Sequence, residues 1–549
     1  MMKLRFLLAV LLFNIAISNA QTVPDNKEMQ ARPKLVIGIV VDQMRADYLA
    51  RFWNKFSDKG FRRLVNNGFL CENNYINYVP SETGPGHAAI YTGTTPSING
   101  IVGNEWYDRD HDKKVYCVDD TAMQSVGTTT NLGKRSPRNL LSNTITDQLH
   151  LATNFASKTI SISLKDRAAI LPGGFTANGA YWFDVTNGKF ITSNYYQKEL
   201  PAWLNDFNDR KLPANYKSQT WNSSLPIAQY TESTADDVPY EGPLYDGEAK
   251  PVFPHDLSKA KGTDYAVLLR TPFGNTLLKE LAIETIKAEQ LGKGNVPDFL
   301  AVSFSSTDYV GHNFGINSIE LEDTYLKLDK DLGDFLDFLD TYLGKENILL
   351  FLSADHGAAN NVQYSIDHKI PAGLFDAKQT KDILKIVLKE KFQVDNLILK
   401  FTDQNVYLNH KVIDDLKLSL YEIETVVANF LLKREGIAYA NISFEIPVFD
   451  NGYAYHKLMK NGYLASRSGD VMFTLLPGWM EWDRTTGTTH GSPYNYDTHI
   501  PLILYGWKVA NGTYLPEVNI IDIAPTIAHL LNIQVPNGCS GKAIPIPLK

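Results

Sequence analysis

Residues 347–357 read N-I-L-L-F-L-S-A-D-H-G, and this run decides the fold. Its centre, 348–353, is apolar without alternation, which predicts a strand buried on both faces, as in the parallel sheets of α/β proteins. The run stops abruptly at Asp355-His356-Gly357. A carboxylate and an imidazole at the end of a buried strand suit a divalent metal, and the glycine lets the backbone turn away. Taken alone, the triplet reads equally well as a turn with a hydrogen-bonded histidine.

Two other runs repeat the pattern. Residues 34–42, K-L-V-I-G-I-V-V-D, end in Asp42, and residues 298–306, D-F-L-A-V-S-F-S-S, lead into T-D-Y-V-G-H at 307–312. Asp308 and His312 are four apart, on one side of a helical turn. In parallel α/β sheets the carboxyl ends of the strands share an edge, and ligands bind there. The polar loop 485–497, T-T-G-T-T-H-G-S-P-Y-N-Y-D, adds His490. Asp42, Asp308, Asp355, His312, His356 and His490 are the donor set for two zinc-like ions with positions left open for substrate. Two such ions roughly 4 Å apart suit an in-line displacement at phosphorus.

Other stretches offer groups for an anion. Residues 80–87, P-S-E-T-G-P-G-H, form a turn before a short apolar helix, so Thr83 sits near a helix N-terminus. There it either caps the helix or faces an anion drawn by the free N–H groups. Asn104, after G-I-V-G, either donates to an anionic oxygen or holds a turn. Residues 159–164 alternate as a strand and run into Lys165-Asp166-Arg167. On a strand the two cations share a face, ordinarily a solvated one; here they precede A-A-I-L-P-G-G at 168–174, which reads as buried or tightly turned, and poorly solvated cations imply an anionic partner.

The remainder supports an α/β fold: a mostly parallel central sheet sandwiched by helices, with inserted covering segments. Helical spacing marks 47–67, 142–155, 273–291, a helix from about 317 with Glu320 placed for a capping box, and a closing helix at 522–531. Residues 179–184 and 188–196 resemble a hairpin, 470–476 and 500–505 are further strands, and 200–262 is an aperiodic excursion over the site. The expected organisation is one catalytic domain, 21–549, with an insertion at about 175–270 and a small α+β subdomain at about 380–460. In that subdomain, helical patterns near 382–391 and 414–433 flank a strand-like 397–408.

The chain has 549 residues, 44% hydrophobic and 21% charged, with net charge −8. An acidic surface argues against nucleic acid as a partner. Residues 1–20 read as a secretory signal: Lys3 and Arg5, an apolar 6–17, then Ser18-Asn19-Ala20. The mature protein is therefore expected in the periplasm or secreted, without stable membrane insertion. In such a compartment Cys71 and Cys117 could pair, leaving Cys539 free; none lies in a C-x-x-C motif.

These motifs identify a resemblance to the alkaline phosphatase superfamily, closest to the PafA-type, phosphate-irrepressible bacterial enzymes. Its specific pieces are V-V-D-Q-M-R at 40–45, S-E-T-G-P-G-H at 81–87, S-L-K-D-R-A-A-I at 163–170, S-S-T-D-Y-V-G-H at 305–312, S-A-D-H-G at 353–357 and T-H-G-S-P-Y-N-Y-D at 489–497. The resemblance implies Thr83 as nucleophile, one zinc on Asp308, His312 and His490, and another on Asp42, Asp355 and His356. Asn104, Lys165 and Arg167 would bind the phosphoryl oxygens, with Lys165 standing where other alkaline phosphatases hold magnesium. The expected substrates are small phosphomonoesters, cleaved through a phospho-threonine, and the expected state is a monomer. The alternatives are a nucleotide pyrophosphatase/phosphodiesterase of the same superfamily and a non-catalytic metal- or phosphate-binding protein. The cations at 165 and 167 favour the more highly charged monoester.

Overall fold

The computed structural model describes residues 32–448, 452 and 454–549. The expected signal at 1–20 lies outside them. Pro33–Lys549 form one compact unit.

A large mixed sheet runs through that unit. Its strands are β1 (Leu35–Val41), β2 (Phe69–Tyr75), β3 (Thr159–Ser163), β4 (Gly179–Asp184), β5 (Lys189–Ser193), β6 (Asp298–Phe304), β7 (Ile348–Ser353) and β8 (His499–Gly506). They lie side by side in the order β2-β8-β7-β1-β6-β3-β4-β5, with short strands beyond both edges. Every residue of β1, β6 and β7 is buried, as their unbroken apolar runs require. β7, β1, β6, β3 and β4 are mutually parallel. β8 runs antiparallel to β7. Its amino end therefore lies at the edge where the parallel strands finish. The hairpin read at 179–196 forms as β4 and β5, and β4 pairs with β3 inside this sheet.

The helices that matter for the site are α1 (Thr83–Thr92), α2 (Asp166–Gly173), α3 (Pro272–Glu289), α4 (Ser306–Phe314) and α5 (Ile319–Tyr342). All ten residues of α1 are buried. It packs on α2, while α5 packs on α3 and α4. A second, four-stranded antiparallel sheet is built from Ile398–Thr402, Asn405–Leu408, Val471–Leu475 and Ile437–Ile442, in that order. The helices Ala377–Phe392 and Leu420–Leu431 cover it with a separate apolar core.

Several expectations change on contact with the structure. The helical spacing at 47–67 is broken into Asp47–Arg51, a short turn at Trp53–Lys55, and Phe61–Asn67. The stripe Tyr48, Phe52, Phe56, Phe61 and Leu64 is nevertheless buried throughout. Glu320 makes no capping box. Ser318 caps α5 by accepting from Leu321 N, and Glu320 binds His255. Cys71 and Cys117 are not paired: all three cysteines are free thiols. Cys71 is packed in the main core and Cys117 in a separate apolar cluster against α2, so neither reaches the other.

Candidate active site

The carboxyl ends of the parallel strands assemble the site. β1 delivers Asp42, β7 delivers Asp355 and His356, and β6 passes into α4, whose first turn holds Asp308 and whose last holds His312. His490 comes from the loop preceding β8, which reaches the same edge because that strand is reversed. Donor atoms of Asp308, His312 and His490 lie within 4.8 Å of one another, as do those of Asp42, Asp355 and His356. The rings of His356 and His490 stack at 3.5 Å, joining the two groups.

This donor set fits metal ions. Each histidine is oriented by a backbone carbonyl at Nδ1: Gly357 O for His356 (2.9 Å), Ser81 O for His490 (2.8 Å) and Thr488 O for His312 (2.8 Å). The Nε2 lone pairs then face the cluster, the usual arrangement for ligating imidazoles. Burial, followed by the fields of His356 and His312, holds His490 well below the ordinary imidazole range, so it is neutral as a ligand must be. Burial likewise lowers His356. Asp42 Oδ1 and Asp355 Oδ2 are buried and accept no hydrogen bond. Buried carboxylate oxygens without partners are costly, and a cation relieves that cost. Burial and then the charge of Asp355 push Asp42 well above the ordinary carboxylate range. Burial also works against Asp308 and Asp355, yet His312 and Lys165 hold the first well below that range, and His356 and His87 lower the second.

Thr83 opens α1 and is 1% exposed. The cap position is Glu82, so the hydroxyl is not consumed in capping. Its Oγ1 lies 3.4 Å from His356 Nε2, 3.4 Å from Lys165 Nζ and 3.3 Å from Arg167 Nη2. The two cations converge for a different reason from strand alternation. β3 ends at Ser163, Lys165 is the residue before α2, and Arg167 lies in its first turn. Lys165 Nζ also reaches Asp42 Oδ2 (2.7 Å) and Asp308 Oδ2 (2.6 Å). Burial opposes its charge, but Asp308 and Asp42 hold it above the ordinary lysine value. Arg167 Nη1 donates to Tyr116 (3.1 Å), while its Nε is buried with no acceptor. Asn104 Oδ1 accepts from Gly84 N (2.8 Å), at the start of α1. The side-chain amide nitrogen remains as a donor.

All ten residues singled out from the sequence therefore meet at one place. Three supporting residues were missed. Gln43 bridges the two donor groups, with Nε2 on Asp308 Oδ1 (2.7 Å) and its backbone N–H on Asp355 Oδ1 (3.2 Å). Glu82 accepts from Asn104 N (2.6 Å). His87 links Thr83 O (2.9 Å) to Ser303 Oγ (2.8 Å), one helical turn below the hydroxyl. Their signal was adjacency: each directly follows, precedes or stands four residues from a singled-out residue.

Residues 36–493 match the family model described as type I phosphodiesterase / nucleotide pyrophosphatase. The chain is 48% identical to alkaline phosphatase PafA of Elizabethkingia meningoseptica over 93% of its own length and 94% of that protein's. It is 46% identical to alkaline phosphatase PhoV of Synechococcus elongatus, over 94% of each. At the same 46%, a Myroides odoratus protein carries the name calcium-transporting ATPase, over 94% of this chain and 95% of that one. The crystal structure of wild-type PafA superposes with a TM-score of 0.91 at 47% identity, covering 94% of this chain and 99% of that one. Murine ectonucleotide pyrophosphatase / phosphodiesterase 5 shares the fold alone, with a TM-score of 0.51 at 13% identity.

Proposed function

The chain belongs to the type I phosphodiesterase / nucleotide pyrophosphatase family, within the alkaline phosphatase superfamily, and from that premise we propose that it hydrolyses phosphomonoesters to alcohol and phosphate through Thr83. The observation that carries this reading is the Thr83 hydroxyl, not used in capping, 3.4 Å from His356 Nε2 of one donor group and beside the two cations Lys165 and Arg167.

Asp308, His312 and His490 would hold one zinc ion, and Asp42, Asp355 and His356 the other. When bound, the ions supply Lewis acidity, acidifying a hydroxyl and stabilising a departing alkoxide. The chain's own residues do the rest. Thr83 Oγ1 is the attacking atom, placed at the amino end of α1, where backbone N–H groups favour the incoming anion. Lys165, Arg167 and the Asn104 amide meet the nonbridging oxygens, where charge must be balanced. The phosphoryl group passes to Thr83 and then to water. Lys165 pairs with both Asp42 and Asp308 while lying beside Thr83, so one ammonium faces the carboxylates and the substrate together.

The phosphodiesterase reading keeps the nucleophile and the metals but presents the site with one charge fewer. The buried Lys165 and the half-buried Arg167 favour the dianionic monoester. Among the described residues no helix is long and apolar enough to cross a membrane. Export through a leader at 1–20 and a monomeric state complete the proposal. The test is the ratio of kcat/KM for a matched monoester and diester with zinc-loaded protein. A ratio above one is expected; a ratio below one would assign the chain to diesters, and bound zinc without turnover of either would leave a binding protein.

A further inference from the structure

A cavity of about 840 Å³ opens above the site between the main sheet and the four-stranded one. Asn104, His312 and His490 form part of its floor. Its walls carry Glu82, Asp376, Asp403, Glu481, Asp483 and Asp497, while among the described residues no lysine or arginine lines it. The cations Lys165, buried, and Arg167, half-buried, lie beneath, beside Thr83. A substrate therefore meets positive charge at its phosphoryl end and negative charge around the group that leaves.

Resting on the monoesterase reading, we infer that this cavity selects phosphomonoesters whose leaving alcohol carries a positive charge, such as phosphorylated amino alcohols, over those whose leaving alcohol carries a carboxylate. The acidic wall is built into the fold. Asp403 occupies a two-residue hairpin turn between the strands ending at Thr402 and starting at Asn405. Both turn residues have positive φ, 50° at Asp403 and 57° at Gln404, the geometry of a tight hairpin. Glu481 Oε2 is buried and accepts no hydrogen bond. Burial, and next the charge of Asp403, raises Glu481 to about 7, so it is ionised under alkaline conditions. Lys114 and Lys400 act on Asp403 from outside the cavity, and Lys114 is engaged by Glu105. Phe375, Trp479, Trp482 and Tyr496 supply aromatic surface between the acids. An alkylammonium is attracted to such faces as well as to carboxylates. Trp482 stacks on His312 with ring centres 5.6 Å apart, which places this aromatic wall directly beside one donor group.

The test uses three probes with the zinc-loaded enzyme: aminoethyl phosphate, ethyl phosphate and carboxymethyl phosphate. Their intrinsic reactivities differ, so the quantity read is the aminoethyl-to-carboxymethyl ratio of kcat/KM in the wild type divided by the same ratio in Asp403→Asn/Glu481→Gln. A quotient of about ten or more is expected from removing two charges beside the leaving group. A quotient within about twofold of one, or below one, overturns the inference. Should that variant not fold, the wild type alone decides. Raising salt from about 20 mM to about 500 mM must erode the ratio, because it screens the wall, and a salt-insensitive ratio overturns the inference. Ethyl phosphate separates the two readings: no turnover of it by the wild type sinks the monoesterase assignment, whereas turnover with a flat quotient sinks only the selectivity.

Discussion

Thr83 shows how a residue's role follows from what its hydroxyl does not do. Glu82 takes the cap position, and three nitrogens from His356, Lys165 and Arg167 surround Oγ1 at 3.3–3.4 Å. Thr83→Ala is expected to abolish turnover and phospho-enzyme formation while elemental analysis still finds the metals. Retained labelling would move the nucleophile elsewhere. Lys165→Ala with Arg167→Ala is expected to lower monoester kcat/KM by about 10²–10³, and diester kcat/KM by less. Equal losses would remove the charge argument for monoesters. At this scale the convergence of the ten residues was legible, because carboxylates, imidazoles and cations are chemically unusual at the ends of apolar runs. Gln43, Glu82 and His87 were not legible, since a hydrogen-bonding side chain beside a ligand has no spacing of its own.

At the scale of elements, strand ends were readable and connections were not. The burial of β1, β6 and β7 followed from composition, but nothing in 499–506 announces that β8 runs backwards, which brings His490 to the site. Lys165 and Arg167 were placed together on the assumption of a strand, yet it is the start of α2 that aims them. Close packing of α1 on the β7 end makes a further expectation. A Cβ at Gly86 would lie 2.4 Å from Asp355 O and 2.6 Å from Asp355 Cβ. Gly86→Ala should cost about 1–3 kcal/mol by overpacking, and weaken metal binding by shifting Asp355. Gly512→Ala, whose nearest contact would be an ordinary 3.5 Å to Phe69, is the control. Unchanged melting and metal affinity in Gly86→Ala would show that α1 has room to move.

Across the whole molecule, buried charge links stability to metal and to pH. Three carboxylates share the site with one ammonium, so removing the metals leaves them undercompensated. Chelation should lower stability by about 4 kcal/mol for each ion held a thousandfold above its Kd; calorimetry that shows no shift would mean that the donor groups bind nothing. Away from the site, His255 joins the 219–256 region to α5 through Glu248 (2.8 Å) and Glu320 (3.1 Å). Burial opposes its charge, but the two carboxylates raise it from 6.5 to about 9. Because the folded value is the higher one, its stabilisation is complete below pH 6.5 and disappears as pH rises through about 9. The margin of wild type over His255→Gln, measured by denaturant titration, should shrink by about 1–3 kcal/mol between about pH 7 and 10. A constant margin would contradict this. Neither the link nor the acidic cavity wall was visible in the sequence, since both join segments far apart in the chain that carry no recognisable motif.

Anomalous diffraction at the zinc edge, from crystals of the zinc-loaded protein, addresses the bimetallic centre most directly. Two peaks are expected, one among Asp308, His312 and His490 and one among Asp42, Asp355 and His356, each about 2.0–2.2 Å from its donors, with Thr83 Oγ1 facing both. A single peak, peaks away from these six residues, or Thr83 turned from the metals would contradict the account.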